Sequence, residues 1–255
     1  MKIGGHMGQL TDASVILRLG YQALRRAGLS TEQILTKAGV AISQLETNQR
    51  TPVSAQSAFW LAAEQISHDP DIGLHLGEHL PLYRGQVIEH LFMSSENFGE
   101  GLHRALAYQR LISDAFQAQL VCKDGQCYLT NGTQPHPNRL LNRHFSECAI
   151  SGVLRFFKFL TEGQFQPLFI DFDFQEGAAP EEYFRVYECP VSLGQKETRL
   201  YFDSAILKHP LWQADPDLLQ LHEQLAHEKL QELARYDLVS EVRRAIGATL
   251  EQGET

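Results

Sequence analysis

Arg139, Arg143 and Glu147 stand four residues apart, and on a helix that spacing lines them along one face. An arginine can hold a carboxylate by a two-pronged contact, and a glutamate can accept an ammonium. The row therefore has the makings of a receptor for an amino-acid-like ligand, with Tyr108, Phe145, Phe156 and Phe157 available to line the apolar remainder. The plainer alternative is an intrahelical salt bridge between Arg143 and Glu147 with the aromatics in the core. If the row faces a ligand, alanine at Arg143 or Glu147 should weaken binding and leave the fold intact. Asp171 and Asp173 sit two apart in an alternating stretch, so both point to one side of a strand. They form either a paired carboxylate for a cation or amine, or a solvated face.

Other chemistry finds less support. His75 and His79 share a metal-compatible spacing, but no third ligand is placed by spacing, and solvated or capping histidines are the expectation. No nucleophile-elbow, zinc-protease, phosphate-loop or dinucleotide fingerprint occurs. No enzyme activity, metal or cofactor is therefore expected. The formal charge of −9 makes the chain a poor nucleic-acid binder by itself. No apolar run reaches the roughly 18 residues that span a bilayer, and the first ten residues do not form a secretory signal. A cytoplasmic location is expected. Gly5-His6-Met7 has the form of a cloning remnant, so residues 1–8 are set apart as a tag.

These side chains must be positioned by helices at both ends and strands between. Helices are expected over Ser14–Ala27, Glu32–Ala38, Ala55–Ser67, Asp71–Gly77, Gln86–Phe92 and Glu100–Phe116, with Ile42–Leu45 as a short turn. Ala118–Cys122 and Gln126–Thr130 read as a hairpin around Asp124-Gly125. That register sets Cys122 opposite Cys127. A disulfide there is geometrically allowed, but in a reducing cytosol two free buried thiols are expected. Gly132 to Pro137 reads as a loop, and a long helix, Asn138–Thr161, carries the Arg–Arg–Glu row. Leu168, Ile170, Phe172 and Phe174 alternate with Phe169, Asp171 and Asp173 as a strand with one apolar face. Pro180 opens a helix with Tyr183, Phe184 and Tyr187 on one side. Two final helices, from Asp215-Pro216 to about Ala234 and Asp237–Gln252, carry wide leucine stripes. The architecture is α+β: a helical N-terminal half packed on a small, mostly antiparallel sheet crossed by a long helix, with C-terminal linker or dimerisation helices.

The order of features from Leu168 to Leu219 resembles the N-terminal sensor domain of AraC/XylS transcription regulators. The similar branch has an arabinose-binding-like sensor and includes ornithine-utilisation-type regulators. Five segments carry the resemblance: Phe169–Phe172, Pro180 to Tyr183, Cys189-Pro190-Val191, Leu200–Phe202 and Pro210-Leu211 with Ala214-Asp215. The resemblance implies a sensor domain over 9–235 that binds a small cytosolic metabolite, with an amino acid or amine favoured. It also implies a linker helix over 236–255 leading toward a helix-turn-helix DNA-binding domain that these residues do not include. DNA would be met only through that domain, and a homodimer is compatible with the leucine stripes. Two other readings stand beside it. One is a haem or gas sensor with His90 or His103 as axial ligand; the other is a ligand-free dimerisation module. A hydrolase using Asp171, Asp173 or Glu147 would need a matched nucleophile and base, which the sequence does not supply.

Overall fold

The structure is a computed structural model that describes residues 10–46, 50–82, 85–131 and 143–251. The expected tag, the 132–137 loop and the start of the long helix, with Arg139, lie outside these residues. Thr11–Ala13 (β1) leads into Val15–Arg26 (α1), Thr31–Ala38 (α2) and Ile42–Glu46 (α3). Arg50–Pro52 (β2) pairs antiparallel with β1, Asp12 opposite Thr51. Sequence reading missed this small sheet. Strands of three residues carry too short a pattern to show period two. Ser54–Ser67 (α4), Ile72–Gly77 (α5), Val87–Met93 (α6) and Phe98–Ala107 (α7) complete the helical half.

Helix α7 is shorter than the expected Glu100–Phe116. Tyr108 leaves helical geometry, and a 3-10 turn, Gln109–Leu111, follows. Ser113 and Asp114 are then drawn to the N-terminal strand. The Ser113 hydroxyl donates to the buried Asp12, and Asp114 accepts from the backbone and hydroxyl of Thr11. These tertiary bonds outcompete continuation of the helix.

Ala118–Lys123 (β3) and Gln126–Asn131 (β4) form the expected hairpin. Asp124 and Gly125 both have positive φ, 51° and 82°, as a two-residue turn that matches strand twist requires. Cys122 and Cys127 face one another with Cα atoms 4.1 Å apart and are joined as a disulfide, correcting the expectation of two free thiols. The register read from the sequence does bring the sulfurs together, and it was the compartment argument that pointed the wrong way.

Arg143–Leu160 (α8) is followed by Pro167–Asp171 (β5), Pro180–Tyr187 (α9), Val191–Ser192 (β6) and Arg199–Asp203 (β7). The sheet runs β3-β4-β7-β5-β6, antiparallel except for the β5–β6 pair. A bulge lies between Pro167 and Phe169. It turns Leu168 outward, 42% exposed, while Ile170, Phe172 and Phe174 remain buried. The alternation therefore holds from Ile170 onward and fails at Leu168. On α9, Tyr183 and Tyr187 are buried but Phe184, one residue off their face, is 59% exposed.

The α+β expectation holds, and α8 is what joins its halves. Its N-terminal turns place Phe145 and Cys148 in a core with Leu17, Leu24, Phe59 and Trp60. Its C-terminal turns place Leu154, Phe157 and Leu160 against the sheet, in a second core with Phe98, Phe165, Phe172 and Phe202. The expected pair of C-terminal helices is one, Pro216–Glu251 (α10). Residues 235 and 236 are Arg and Tyr, neither of which stops a helix. Asp237 adds an ion pair to Arg110 beside the 3-10 turn. No helix among the described residues is long and apolar enough to cross a membrane.

Candidate functional site

Where the two cores meet, α8 meets α5 and α9 through apolar side chains and also through a cluster of charged groups. Two approaches make the contact close. A Cβ on Gly73 would lie 2.2 Å from the His144 Cα, and one on Gly77 would lie 2.3 Å from the Ser151 Oγ. With glycine at both places α5 lies against α8, and Asp71 at the α5 N-terminus reaches Arg143.

Glu147 is the centre of this junction and is 0% exposed. Its Oε1 accepts from the Arg143 Nε at 2.8 Å and from the Tyr183 hydroxyl at 2.5 Å. Arg143 also pairs with Asp71. The Tyr187 hydroxyl donates to the backbone carbonyl of Glu147 at 2.9 Å. Burial, with the Glu147 charge added, pushes the Tyr183 hydroxyl well above its ordinary range, so it remains a proton donor. Burial disfavours the Arg143 charge, but Glu147 and Asp71 outweigh that and hold the guanidinium more firmly protonated.

The other carboxylate oxygen, Glu147 Oε2, has no hydrogen-bond partner among the described residues, and neither has the Nδ1 of the buried His144. They lie 3.9 Å apart. His144 Nε2 meets Glu64 Oε2 at 3.1 Å. Burial pushes the His144 imidazole down, but Glu147 and Glu64 together raise it above its ordinary value. The junction thus holds three carboxylates, Glu64, Asp71 and Glu147, against Arg143 and one titratable imidazole. It can take up a carboxylate on Arg143 and has a surplus of acceptors for a cation. It offers no nucleophile paired with a base.

Arg143 and Glu147 do form the intrahelical salt bridge of the plainer reading, and the same pair also bonds α8 to α5 and α9. The other candidates lie elsewhere. Asp171 and Asp173 alternate with the buried Phe172, whose ring packs toward Tyr183 and Tyr187. Both carboxylates therefore belong to the opposite face of the sheet. There Asp171 stands beside Arg199, and Asp173 accepts from the Thr198 hydroxyl at 3.2 Å. That face carries Phe169 stacked on Tyr201, and Arg199 over the Tyr128 ring. Tyr108, half-buried, closes α7, away from the helix face that carries Arg143 and Glu147 on α8.

His75 does not join His79 in a metal site, and no cluster of three possible ligands occurs among the described residues. Instead its Nδ1 meets Asp69 at 2.6 Å and its Nε2 meets Glu182 of α9 at 3.1 Å. Arg185 then links Glu182 to Glu78. Of the two histidines considered as haem ligands, His90 stacks on His222 with ring centroids 4.7 Å apart. The His103 Nδ1 donates to the Gly99 carbonyl at 2.7 Å.

Sequence reading missed Asp71, Tyr183, His144 and Glu64 as partners of the row. The i,i+4 spacing of Tyr183 and Tyr187 was the one available signal, and it located a face without saying what that face meets.

A pH dependence follows. Burial pushes His75 down, but Asp69 and Glu182 outweigh it, so His75, like His144, has a folded value raised above 6.5. The stability these two contribute is complete below about pH 6.5 and is lost as pH rises through their folded values. Glu78 and Glu182 are lowered, chiefly by Arg185, so their contribution is present above about pH 4.5 and fades as pH falls through their folded values. The melting temperature should therefore peak between about pH 5 and 6.5 and decline toward about pH 8. His75→Ala with His144→Gln should flatten the alkaline decline; an unchanged decline would assign it to other groups.

Three comparisons bear on this geometry. The sequence profile of the N-terminal arabinose-binding domain of AraC transcription regulators matches residues 28–211. The ornithine utilization regulator of Pseudomonas aeruginosa is 25% identical over 226 residues, covering 88% of this chain and 64% of its own length. The chain thus spans just under two thirds of that relative. The crystal structure of transcriptional regulator CdpR from Pseudomonas aeruginosa matches with a TM-score of 0.55 at 16% identity. That match covers 75% of this chain and 59% of CdpR, and it speaks to the fold.

Proposed function

The chain belongs to the arabinose-binding domain family of AraC transcription regulators, and we propose that it senses a small amine or amino acid at the Arg143–Glu147 junction. Its family regulates transcription and is not a family of enzymes. The observation that carries the ligand class is the surplus of carboxylate around Glu147, whose Oε2 accepts no hydrogen bond among the described residues and has only the His144 imidazole 3.9 Å away, while its Oε1 is fully engaged. An ammonium group would answer that oxygen, and a ligand carboxylate would compete with Asp71 for Arg143. The name of the ornithine utilization regulator agrees with such a ligand: ornithine carries a carboxylate and two amines.

The junction joins α5, α8 and α9, so a ligand that separates Asp71 from Arg143 has differential affinity for two packings of α8. The change passes to α10, which is held to the domain largely by polar contacts. Arg104 bonds Glu223 at 2.8 Å, Ser94 meets His222 at 3.2 Å, and Arg110 pairs with Asp237. The outer side of α10 exposes Leu218, Leu221, Leu225, Tyr236 and Val239, a face suited to a second copy of the chain. In the whole regulator, which we place in the cytoplasm, a DNA-binding domain would read the position of α10, and this acidic domain would touch no DNA itself.

Titration with ornithine, putrescine and L-arabinose, followed by thermal melting, tests the proposal. A ligand at about a hundred times its Kd adds ~2.7 kcal/mol, a rise of roughly 5–10 °C for a chain of this size. We expect that rise with ornithine or putrescine, and Arg143→Lys should reduce the ornithine rise because it removes the two-pronged contact to the ligand carboxylate. A rise with arabinose alone would overturn the amine assignment.

A further inference from the structure

The start of α10 is fastened to the domain by a pair of imidazoles. His90 on α6 stacks on His222 of α10, with ring centroids 4.7 Å apart and planes inclined by 28°. Both residues are half-buried. The Nδ1 of His222 also meets the Ser94 hydroxyl at 3.2 Å. Apolar burial here is slight: of residues 216–230, Ala226 alone is fully buried, and Leu218, Leu221 and Leu225 are exposed. The histidine contact therefore carries a large share of the hold on this part of the helix.

Two neutral imidazoles stack without electrostatic cost, and one added proton sets a cation against a neutral ring. A second proton sets two like charges face to face in a half-buried contact, where water and salt screen them less than at an open surface. The surrounding groups do not cancel this. Burial and His90 oppose the His222 proton and outweigh Asp215, which favours it, so His222 lies below its ordinary value. On α6, the buried Glu89 accepts from the backbone of Gln86 at the helix start. On α7, Arg104 is divided between Glu100 and Glu223, and His103 donates to the Gly99 carbonyl. Arg110 of the 3-10 turn is paired with Asp114 and Asp237. Glu96 holds the turn before α10 through its carbonyl, to the Leu211 N–H. The Ser94 hydroxyl can donate to a neutral Nδ1 or accept from a protonated one, so it suits both states.

We propose that the His90–His222 stack is an acid-opened latch: neutral or singly protonated it holds the start of α10 on α6, and doubly protonated it drives the two helices apart. Its sign is opposite to that of His75 and His144. The stability it contributes is complete above about pH 6.5 and is lost as pH falls from there through the folded value of His222. The Arg104–Glu223 and Arg110–Asp237 pairs persist through that window, since carboxylates titrate near pH ~4. Release is therefore local to the start of α10, and the two cores keep their packing. The latch shares no residue with the Arg143–Glu147 junction and does not rest on the effector assigned there.

The test is hydrogen exchange on the whole chain at about pH 7.5 and about pH 5, corrected for the intrinsic exchange rate at each pH. Protection over residues 216–230 should fall about tenfold at the lower pH, while α8 keeps its protection. His222→Phe and His90→Phe each keep a stacked ring that takes no proton, so each should retain protection at about pH 7.5 and lose the acid response. If His222→Phe packs badly, His222→Gln, which keeps a polar partner for Ser94, serves in its place. NMR titration of the ring protons gives a readout that a merely structural contact would not move: His90→Phe should raise the His222 midpoint. The proposal is overturned if the parent chain protects α10 equally at both pH values, if the fall persists in both single variants, or if the His222 midpoint ignores His90→Phe.

Discussion

Glu147→Ala should lower stability by about 3–5 kcal/mol, the usual cost of removing one partner of a buried charge pair, which is roughly 6–20 °C in melting temperature. The side chain is 0% exposed and holds Arg143 on its own helix and Tyr183 on α9. Its removal leaves a guanidinium with Asp71 alone and a buried phenol without its acceptor. The effect should spread beyond α8, because α9 loses the Tyr183 bond to the helix and keeps only the Tyr187 bond to the carbonyl of residue 147. Tyr183→Phe should cost less, about 1–3 kcal/mol, since it deletes the donor but leaves Glu147 with Arg143. A double-mutant cycle on the two positions should show coupling. A drop below about 1 kcal/mol for Glu147→Ala would mean that the junction does not hold the halves together. This reverses the expectation that alanine at Glu147 leaves the fold intact. Binding experiments therefore belong on Arg143→Lys, which keeps a positive charge beside the buried Glu147.

Gly73→Ala should cost about 3 kcal/mol or more, a large effect for a single methyl group. The new Cβ would lie 2.2 Å from the His144 Cα and 2.3 Å from its carbonyl oxygen. Both are backbone atoms of a helix packed on two cores, so no rotamer change relieves the clash, and α5 must move away from α8. Gly77→Ala offers the contrast, because its clash is with the Ser151 side chain, Oγ at 2.3 Å and Cβ at 2.4 Å. Ser151→Gly should therefore rescue Gly77→Ala in a denaturant titration, while no change at His144 should rescue Gly73→Ala. Equal stability of Gly73→Ala and the parent chain would refute the close approach of α5 and α8. The same displacement would pull Asp71 from Arg143, so the variant should also lose response to an amine ligand.

Local pattern carried far along this chain, and it failed where distant residues intervene. Asp124-Gly125 announced a two-residue turn because positive φ at both positions is a property of those residues themselves. The long amphipathic helix through Phe145, Leu154 and Leu160 was readable from its period, and so was the Ile170–Phe174 alternation. The length of α7 was not readable, since Asp12 and Thr11, about a hundred positions away, capture Ser113 and Asp114. The break expected within α10 was not real, because Asp237 finds Arg110.

The candidate site divides in the same way. Spacing alone determined that Arg143 and Glu147 share a helix face, that Asp171 and Asp173 share a strand face, and that Cys122 stands opposite Cys127, because helix and strand periods are fixed by backbone geometry. Spacing cannot say which face meets which. The tertiary structure alone decided that Glu147 is wholly buried, that Tyr183 and His144 converge on it while Asp71 reaches its partner Arg143, and that Asp171 and Asp173 lie on the far side of the sheet. Those outcomes depend on packing between segments up to 112 positions apart, such as Asp71 and Tyr183, and no local period encodes them.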